Sequence, residues 1–364
     1  MRIAIIAPLV APIREPQRGG SQAFAADLAR GLIGRRHQIH LYAASGSDVP
    51  GVRVIDTGVD HRSLSATFYR ASGAADRPSA ATDSAFARVY SAVRENQYDV
   101  IHNHAFDAPA IRLATGLGVP VVHTVHLPPD HAVAAALRHA AETDAPPTVA
   151  GVSEFQASAW RRVVPIDAIL SPYVPTSLIG WLPGAGDGAV FAGRLSPEKG
   201  AAEAIDIART AGVRIDVYGD SYDAEYVRAW IDPLRAEPGV GVQPAVPRAS
   251  LWEAMARAAV VLCPAKWDEP FGMVAAEAQA CGTPVVAFDR GALGEVIVDE
   301  RTGFLVAPDD IDAAADAVKR ASGLSRTECR AHAERRLDLG RSLEAHERLY
   351  RGVVGAGSGA AVHG

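Results

Sequence analysis

Two glutamates in one stretch of the chain have the types and spacing of a pair that could bind sugar hydroxyls. Glu269 and Glu277 lie in WDEPFGMVAAEAQACGTPVV, which runs from position 267 to position 286. One apolar run comes before this stretch and another lies at its end, and both read as buried strands. We therefore place Glu269 in the loop that leaves the first strand and Glu277 inside the next helix. A plainer interpretation is that each acid only favours the positive end of a helix dipole.

A second motif has the residue types that bind phosphate. Arg194 and Lys199 lie in GRLSPEKG, directly after an apolar run that reads as a strand. A helix is expected to begin at Pro197 and to run to about Arg209, because proline suits the first helical position. A guanidinium, an ammonium and free backbone N–H groups would then converge, as a diphosphate requires when no metal neutralises it. A solvated cationic pair on a surface turn is the alternative.

Glycines before the first predicted helix form a weaker candidate anion site. Gly19 and Gly20 precede an apolar stripe at positions 24, 28 and 32, which predicts a helix. Backbone N–H groups at such a helix start can bind an anion. The loop lacks the GxGxxG pattern, so the dinucleotide fingerprint of Rossmann dehydrogenases is absent.

Histidines end two neighbouring predicted strands. His102 and His104 lie at the end of one strand and share a face, because strand side chains alternate; His126 ends the next strand. Ligands of parallel sheets bind at the carboxyl ends of strands, so we expect His104 to contact a ligand. A metal site built from this pair with His123 and His126 is conceivable. No carboxylate has a diagnostic spacing, however, and we predict no metal.

The bulk composition is that of a soluble globular protein. The chain has 364 residues, 48% of them hydrophobic and 21% charged, with a formal net charge of -6. This length suits two domains, and this charge argues against nucleic acid as a partner.

No apolar run is long enough to span a membrane, and the start reads as a strand. Three scattered cysteines suit a reducing cytosol, so we predict a cytoplasmic protein. The Arg- and Ala-rich bias fits a GC-rich bacterial genome.

Strands and helices alternate along most of the chain, which predicts an α/β protein with parallel sheets. A Pro- and Gly-rich stretch between positions 171 and 188 reads as an interdomain linker. Positions 61–84 are expected to form a loop or a mobile helical excursion. The predicted parts are an N-terminal domain of residues 1–176, a C-terminal domain of residues 177–334, a helix at about 335–351 that joins the N-terminal domain, and a flexible tail of residues 352–364.

The motifs taken in order resemble glycosyltransferase family 4, the retaining enzymes of the GT-B architecture. They are GGSQ, IHNH, GVSEFQ, GRLSPEKG, EPFGMVAAEAQACGTPVVA with its Glu-x7-Glu spacing, GALGEVI and GFLVAPDD. The resemblance covers most of the chain and implies two Rossmann-like, doubly wound parallel-sheet domains that face a central cleft. Two stretches depart from the family: SPYVPTSLIGW stands where many relatives have an Asn-Gly step, and positions 61–99 match poorly.

For the C-terminal domain, the resemblance implies roles toward a nucleotide-sugar donor. Arg194 and Lys199 would bind the diphosphate, and Glu277 would hold the ribose hydroxyls. Glu269 would contact the transferred sugar, and nearby backbone N–H groups would assist it. Those N–H groups belong to Phe271, Gly272 and Met273.

For the N-terminal domain, the resemblance implies two contacts with the same donor. The N–H of Gly20 would approach the distal phosphate when the domains close, and His104 would lie near the transferred sugar. His104, Glu269, Arg194 and Lys199 are thus the implied catalytic residues. In the family's usual account, the leaving phosphate accepts the acceptor's proton on the same face of the sugar, without a metal or a resident cofactor.

We therefore predict a retaining, metal-independent hexosyltransferase with a UDP- or GDP-linked donor and a small-molecule or secondary-metabolite acceptor. A lipid or cell-envelope acceptor is the close alternative. The arginines at positions 62, 70, 77, 88 and 94 form no clear basic amphipathic helix, so we predict little or no membrane association. A GT-B nucleotide-sugar epimerase is a further alternative, and a protein that only binds the donor is a third.

Overall fold

Two compact units, each with its own parallel sheet, make up the chain. The computed structural model describes residues 1–61, 64 and 80–360. The N-terminal unit comprises Met1–Arg14, Gly20–Pro172 and Gly340–Gly364, and the C-terminal unit comprises Glu15–Gly19 and Tyr173–Leu339. Helices and parallel strands alternate in both units. This confirms the predicted α/β fold with two Rossmann-like domains.

The sheet of the N-terminal unit has seven strands in the order β3-β2-β1-β4-β5-β6-β7, and all its pairs are parallel. Its central strands are short apolar runs, as expected for strands that are covered on both faces. The strands are β1 (Arg2–Ile6), β2 (Gln38–Ala43), β3 (Arg53–Asp56), β4 (Val100–Asn103), β5 (Val121–Val125), β6 (Thr148–Gly151) and β7 (Ala168–Ile169). The helices between them are α1 (Gly20–Gly34), α2 (Ala80–Arg94), α3 (Ala108–Arg112), α4 (His131–Ala141) and α5 (Glu154–Trp160).

The sheet of the C-terminal unit has six strands in the order β10-β9-β8-β11-β12-β13, again all parallel. The strands are β8 (Ala189–Ala192), β9 (Ile215–Tyr218), β10 (Val240–Gln243), β11 (Val260–Cys263), β12 (Val285–Phe288) and β13 (Gly303–Val306). The helices are α6 (Ala201–Ala211), α7 (Ala224–Tyr226), α8 (Arg248–Arg257), α9 (Met273–Ala280), α10 (Leu293–Val296), α11 (Ile311–Ala321) and α12 (Arg326–Arg336). Short 3₁₀ turns lie at Thr176–Leu178, Pro197–Lys199 and Asp232–Ala236, and a π turn lies at Val227–Ile231.

The helix predicted to start at Pro197 is interrupted. A 3₁₀ turn covers Pro197–Lys199, and α6 begins only at Ala201. Gly200 separates them with a φ of 75°, a left-handed conformation that favours glycine. A Cβ at this position would lie 2.0 Å from the carbonyl oxygen of Pro264, so the close approach also requires glycine. Lys199 therefore lies on a turn, ahead of the helix.

The last helix is longer than predicted. It is α13 (Leu339–Ala360), and it is separate from α12, which ends at Arg336. The tail predicted to be flexible is therefore helical over positions 352–360, and positions 361–364 lie outside the described residues. The tail was predicted to be flexible because chain termini are usually poorly ordered. Extending an existing helix costs far less than starting one, which explains its continuation.

Most of the loop predicted at positions 61–84 lies outside the described residues, as do the arginines at positions 62, 70 and 77. Positions 80–84 open α2, so this part of the stretch is helical, the second of the two predicted alternatives. Among the described residues, α2 buries Phe86, Val89 and Tyr90 against the sheet core. Within the same described part of the chain, no helix is both long enough and apolar enough to cross a bilayer.

Candidate active site

The predicted site residues of both units lie where the strand order reverses. In the C-terminal sheet, the chain leaves β8 toward β9 on one side and resumes at β11 on the other. Arg194 and Lys199 follow β8, and Glu269 and Glu277 follow β11. In the N-terminal sheet, the reversal lies between β1 and β4, which precede Gly20 and His104, respectively. Open α/β sheets bind ligands at these points, beyond the carboxyl ends of the strands.

Lys199 and Glu269 form an ion pair in the C-terminal unit. The Nζ of Lys199 donates to Glu269 Oε1 at 3.0 Å and to Oε2 at 2.8 Å. The indole Nε1 of Trp267 donates to the same Oε2 at 2.6 Å, and Lys199 Nζ lies 4.8 Å from the centre of the Trp267 ring. Trp267 thus contacts both partners of the pair. It was not singled out from the sequence, although it lies only two positions before Glu269.

The start of α9 presents backbone N–H groups close to Glu269 in the chain. Gly272 is the N-cap, has a φ of 99° and provides no side-chain cap. The first N–H groups of a helix have no partner within the helix. The N–H groups at this helix start are therefore suited to a negatively charged ligand group. The resemblance implies that those near Phe271, Gly272 and Met273 assist Glu269 at the transferred sugar, which stays a prediction.

Arg194 is held by a carboxylate and stacks on an aromatic ring. Its Nη2 donates to Glu198 Oε1 at 3.1 Å, and its guanidinium carbon lies 4.9 Å from the centre of the Tyr222 ring. Ser196 Oγ donates to the same Glu198 oxygen at 2.7 Å. Glu198 is buried. Burial and two donors orient this carboxylate, which in turn orients Arg194.

Three backbone N–H groups at or near Lys199 already have hydrogen-bond partners. The N–H groups of Lys199 and Gly200 donate to carbonyl oxygens of the surrounding turn at 3.1 and 3.3 Å. In the first turn of α6, the N–H of Ala202 donates to the hydroxyl of Tyr226 at 3.0 Å. These three groups are therefore engaged, and donation to a diphosphate by other N–H groups of this segment stays a prediction. The cationic side chains remain, and the start of α9 is the better source of N–H donors.

Glu277 lies inside α9, as predicted, and forms a buried ion pair with Arg248 on α8. The Nε and Nη2 of Arg248 donate to Glu277 Oε1 at 3.1 and 2.9 Å. Both residues are buried, and the guanidinium carbon lies 4.8 Å from the centre of the Trp252 ring. Arg248 was missed in the sequence because it lies 29 positions before its partner, at no spacing that a local pattern reveals.

A histidine cluster surrounds His104 in the N-terminal unit. His104 Nδ1 lies 3.0 Å from His126 Nε2, at hydrogen-bonding distance, and the rings of His102 and His104 have their centres 4.0 Å apart. His346, from α13, belongs to the same cluster, and its ring centre lies 5.4 Å from that of His102. His123, which the sequence had grouped with these residues, instead contacts Asn103.

Burial keeps the imidazoles of this cluster neutral. It lowers the pKa of His102 and His104 well below the ordinary value, and neighbouring imidazoles add to the effect. Burial also lowers the pKa of His126 and of His346 to about 4. His104 therefore offers a neutral ring near pH 7, which could donate or accept a hydrogen bond but adds no charge.

The comparisons with known proteins show the family of the chain. Residues 18–175 match the family described as Glycosyltransferase Family 4, and residues 186–336 match Glycosyl transferases group 1. A D-inositol 3-phosphate glycosyltransferase of Kribbella flavida is 30% identical in an alignment that covers 87% of this chain and 86% of the relative. The chain belongs to glycosyltransferase family 4. A relative with that enzyme name from Mycobacteroides abscessus is 29% identical in an alignment that covers 89% of this chain and 84% of the relative.

Solved structures confirm the GT-B fold of this family 4 glycosyltransferase. Sucrose-phosphate synthase of Thermosynechococcus elongatus aligns with a TM-score of 0.78 and 19% identity, over 98% of this chain and 99% of that one. AviGT4, a glycosyltransferase involved in avilamycin A biosynthesis, aligns with a TM-score of 0.71 and 21% identity, over 97% and 98% of the two chains. Anabaena Alr3699/HepE in complex with UDP and glucose aligns with a TM-score of 0.72 and 20% identity, over 96% and 99%.

Proposed function

We propose that this glycosyltransferase moves a hexose-type sugar, with retention of configuration, from a UDP- or GDP-linked donor to a hydroxyl of a small-molecule acceptor. The observation that carries the proposal is the Lys199–Glu269 pair at the strand-order reversal of the C-terminal sheet. It provides an ammonium for the diphosphate beside a carboxylate for the sugar hydroxyls. No metal or resident cofactor is part of this proposal.

Donor binding is assigned to residues of the C-terminal unit. Arg194, oriented by Glu198, and Lys199 provide the positive charge for the diphosphate, in hydrogen bonds that ionised partners strengthen. One carboxylate oxygen of Glu277 accepts two hydrogen bonds from Arg248. These bonds fix the carboxylate that is proposed to bind the ribose hydroxyls. The N–H groups at the start of α9 complete the set. The contacts of Gly20 and His104, in the N-terminal unit, stay predictions.

The proposed acceptor is small and polar. Relatives that align along most of this chain are named for D-inositol 3-phosphate, a polyol phosphate. The acceptor proposed for this chain is of the same class, and D-inositol 3-phosphate is the first compound to test. The proposal places the protein in the cytoplasm, where nucleotide sugars are made.

Transfer breaks the bond between the anomeric carbon and the leaving phosphate oxygen, and a bond from the acceptor oxygen forms on the same face. The acceptor proton passes to the leaving phosphate oxygen. Arg194, Lys199 and the N–H groups at the start of α9 stabilise the charge that develops on the leaving diphosphate. Glu269 orients the sugar, and positioning of the two reactants supplies much of the rate.

The test is product analysis with UDP-glucose, UDP-N-acetylglucosamine and GDP-mannose, each with D-inositol 3-phosphate in the presence of EDTA. The expected product has the α configuration of the donor, as NMR of the new glycosidic bond would show. Unphosphorylated inositol is the matched acceptor control. A product of inverted configuration would overturn the proposed stereochemistry, and conversion of the donor without acceptor would favour an epimerase.

A further inference from the structure

Three imidazoles of the N-terminal unit present ring nitrogens toward one another. One nitrogen of His102, one of His104 and one of His346 all lie within 4.8 Å of each other, and the three residues are fully buried. His102 and His104 come from the end of β4, where alternate residues share a face. His346 comes from α13, far along the chain. Among the described residues, this is the one group of three or more His, Cys, Asp or Glu side chains with this geometry.

Two of these rings have a nitrogen without a hydrogen-bond partner among the described residues. They are the Nε2 atoms of His104 and His346, and both are buried. His346 Nδ1 donates to the carbonyl oxygen of Ser342 at 2.7 Å, so the proton of this neutral ring lies on Nδ1 and Nε2 carries a lone pair. A buried lone pair without a donor is costly to leave unsatisfied.

The other ring contacts resemble those that orient metal-binding histidines. Such histidines commonly donate the second ring nitrogen to a carbonyl, carboxylate or water, which fixes the tautomer. The contact between His346 and Ser342 is of this type. His104 is held by His126 through Nδ1, and His102 lies between the hydroxyls of Thr124, at 2.7 Å, and Tyr350, at 2.6 Å.

We propose that His102, His104 and His346 form a binding site for one transition-metal ion of the Zn²⁺ class. Imidazole nitrogens suit Zn²⁺, Ni²⁺ and Cu²⁺, whereas Mg²⁺ and Ca²⁺ require oxygen ligands. Three histidines leave a fourth position open for a small ligand, as in catalytic zinc sites. The site includes His104, which is also predicted to lie near the transferred sugar, but its test requires neither donor nor acceptor.

The geometry requires a rearrangement of the rings and of the distances between them. The rings of His102 and His104 lie with their centres 4.0 Å apart at an angle of 33°, and they have to turn so that each points a nitrogen at the ion. Zinc–nitrogen bonds of about 2.0–2.1 Å place the nitrogens of a tetrahedral site about 3.4 Å apart. The present limit of 4.8 Å between the nitrogens therefore has to shorten by at most roughly 1.4 Å. His102 also has to give up one hydroxyl contact, with Tyr350 or with Thr124. Phe24 packs against His104 and His346 and provides an apolar wall to the site.

The test is equilibrium dialysis of the full chain, without a histidine tag and stripped with EDTA, against Zn²⁺. Atomic emission spectrometry of the dialysed protein is expected to show one bound zinc ion per chain. His346→Asn is expected to lower the Zn²⁺ affinity by more than the 10- to 100-fold that loss of an outer contact typically costs. His332→Asn is the matched control, since His332 is a half-buried histidine of the C-terminal unit that contacts Val296, and it should bind zinc as the wild type does.

A second variant tests His102 and guards against misfolding of His346→Asn. Tyr350→Phe removes the hydroxyl beside His102 Nδ1 and is expected to retain the zinc equivalent, with a loss of affinity no larger than the 10- to 100-fold typical of an outer contact. A wild-type chain that binds no Zn²⁺ overturns the proposal. So does equal zinc affinity in the wild type and a folded His346→Asn variant, or loss of the equivalent in a folded Tyr350→Phe variant.

Discussion

At the strand-order reversal of the C-terminal sheet, three cationic side chains each lie beside a carboxylate. These pairs are Arg194 with Glu198, Lys199 with Glu269, and Arg248 with Glu277. The corresponding place in the N-terminal sheet holds neutral imidazoles that contact hydroxyls and one another. Both regions lie at the ligand-binding edge of a parallel sheet. The C-terminal region is built from ion pairs, whereas the N-terminal region is built from neutral hydrogen-bonding groups.

The difference shows how each unit stabilises polar groups that are removed from water. A buried charge requires a paired and hydrogen-bonded partner, so removing one member of a pair leaves the other uncompensated. A neutral ring requires only its hydrogen bonds, and losing one of them costs much less. Substitutions in the C-terminal pairs should therefore have larger effects than matched substitutions in the histidine cluster.

The largest expected effect is that of Arg248→Met. It leaves Glu277 buried without a cation, which should lower the free energy of unfolding of the C-terminal unit by about 3–5 kcal/mol. Hydrogen exchange of the C-terminal strands measures this, because a two-unit protein does not have to unfold in one step. Arg257→Met is the control on the same helix, since its pair with Glu253 is exposed, and it should change the value by less than about 0.5 kcal/mol.

Next in size is the effect of Lys199→Met on donor binding. Loss of an ammonium from the diphosphate site should weaken binding of the nucleoside diphosphate by about 3 kcal/mol, or about 100-fold in Kd. Calorimetric titration measures the change. Lys266→Met removes another lysine that is paired with a carboxylate, Glu203, and should leave the Kd unchanged. Equal losses in the two variants would contradict the assigned role of Lys199.

A smaller effect is expected for Trp267→Phe. Phenylalanine keeps an aromatic ring near Lys199 but removes the N–H that donates to Glu269. The loss of one hydrogen bond to a carboxylate should lower kcat/KM by about tenfold, or about 1.5 kcal/mol. Trp230→Phe, at an exposed position of the same unit, serves as the control. An unchanged kcat/KM in Trp267→Phe would show that the indole N–H does not position Glu269.

The smallest effect is expected in the histidine cluster. Thr124→Val keeps the side-chain shape but removes the hydroxyl that contacts His102 Nε2. It should lower the free energy of unfolding of the N-terminal unit by about 1 kcal/mol. Hydrogen exchange of the N-terminal strands tests this value. A loss as large as that of Arg248→Met would remove the contrast between the two regions.

Local patterns in the sequence were sufficient for the elements that carry the two glutamates. Glu269 lies in a loop and Glu277 in a helix, as the spacing between two apolar runs predicts. Periodicity does not reveal which distant side chains meet, and Arg248 and His346 were therefore missed. The break at Gly200 was missed too, because it depends on the approach of Pro264 from another strand end.

The central claim is that the C-terminal unit binds a nucleoside diphosphate without a metal. The most direct measurement is a thermal-shift panel of UDP, GDP, ADP and dTDP with their common sugar conjugates, with and without EDTA. A ligand that binds only the folded state raises the melting temperature. The account predicts a clear shift with UDP or GDP compounds that EDTA does not change. No shift with any of them would mean that Arg194, Lys199 and the two glutamates do not form a donor site.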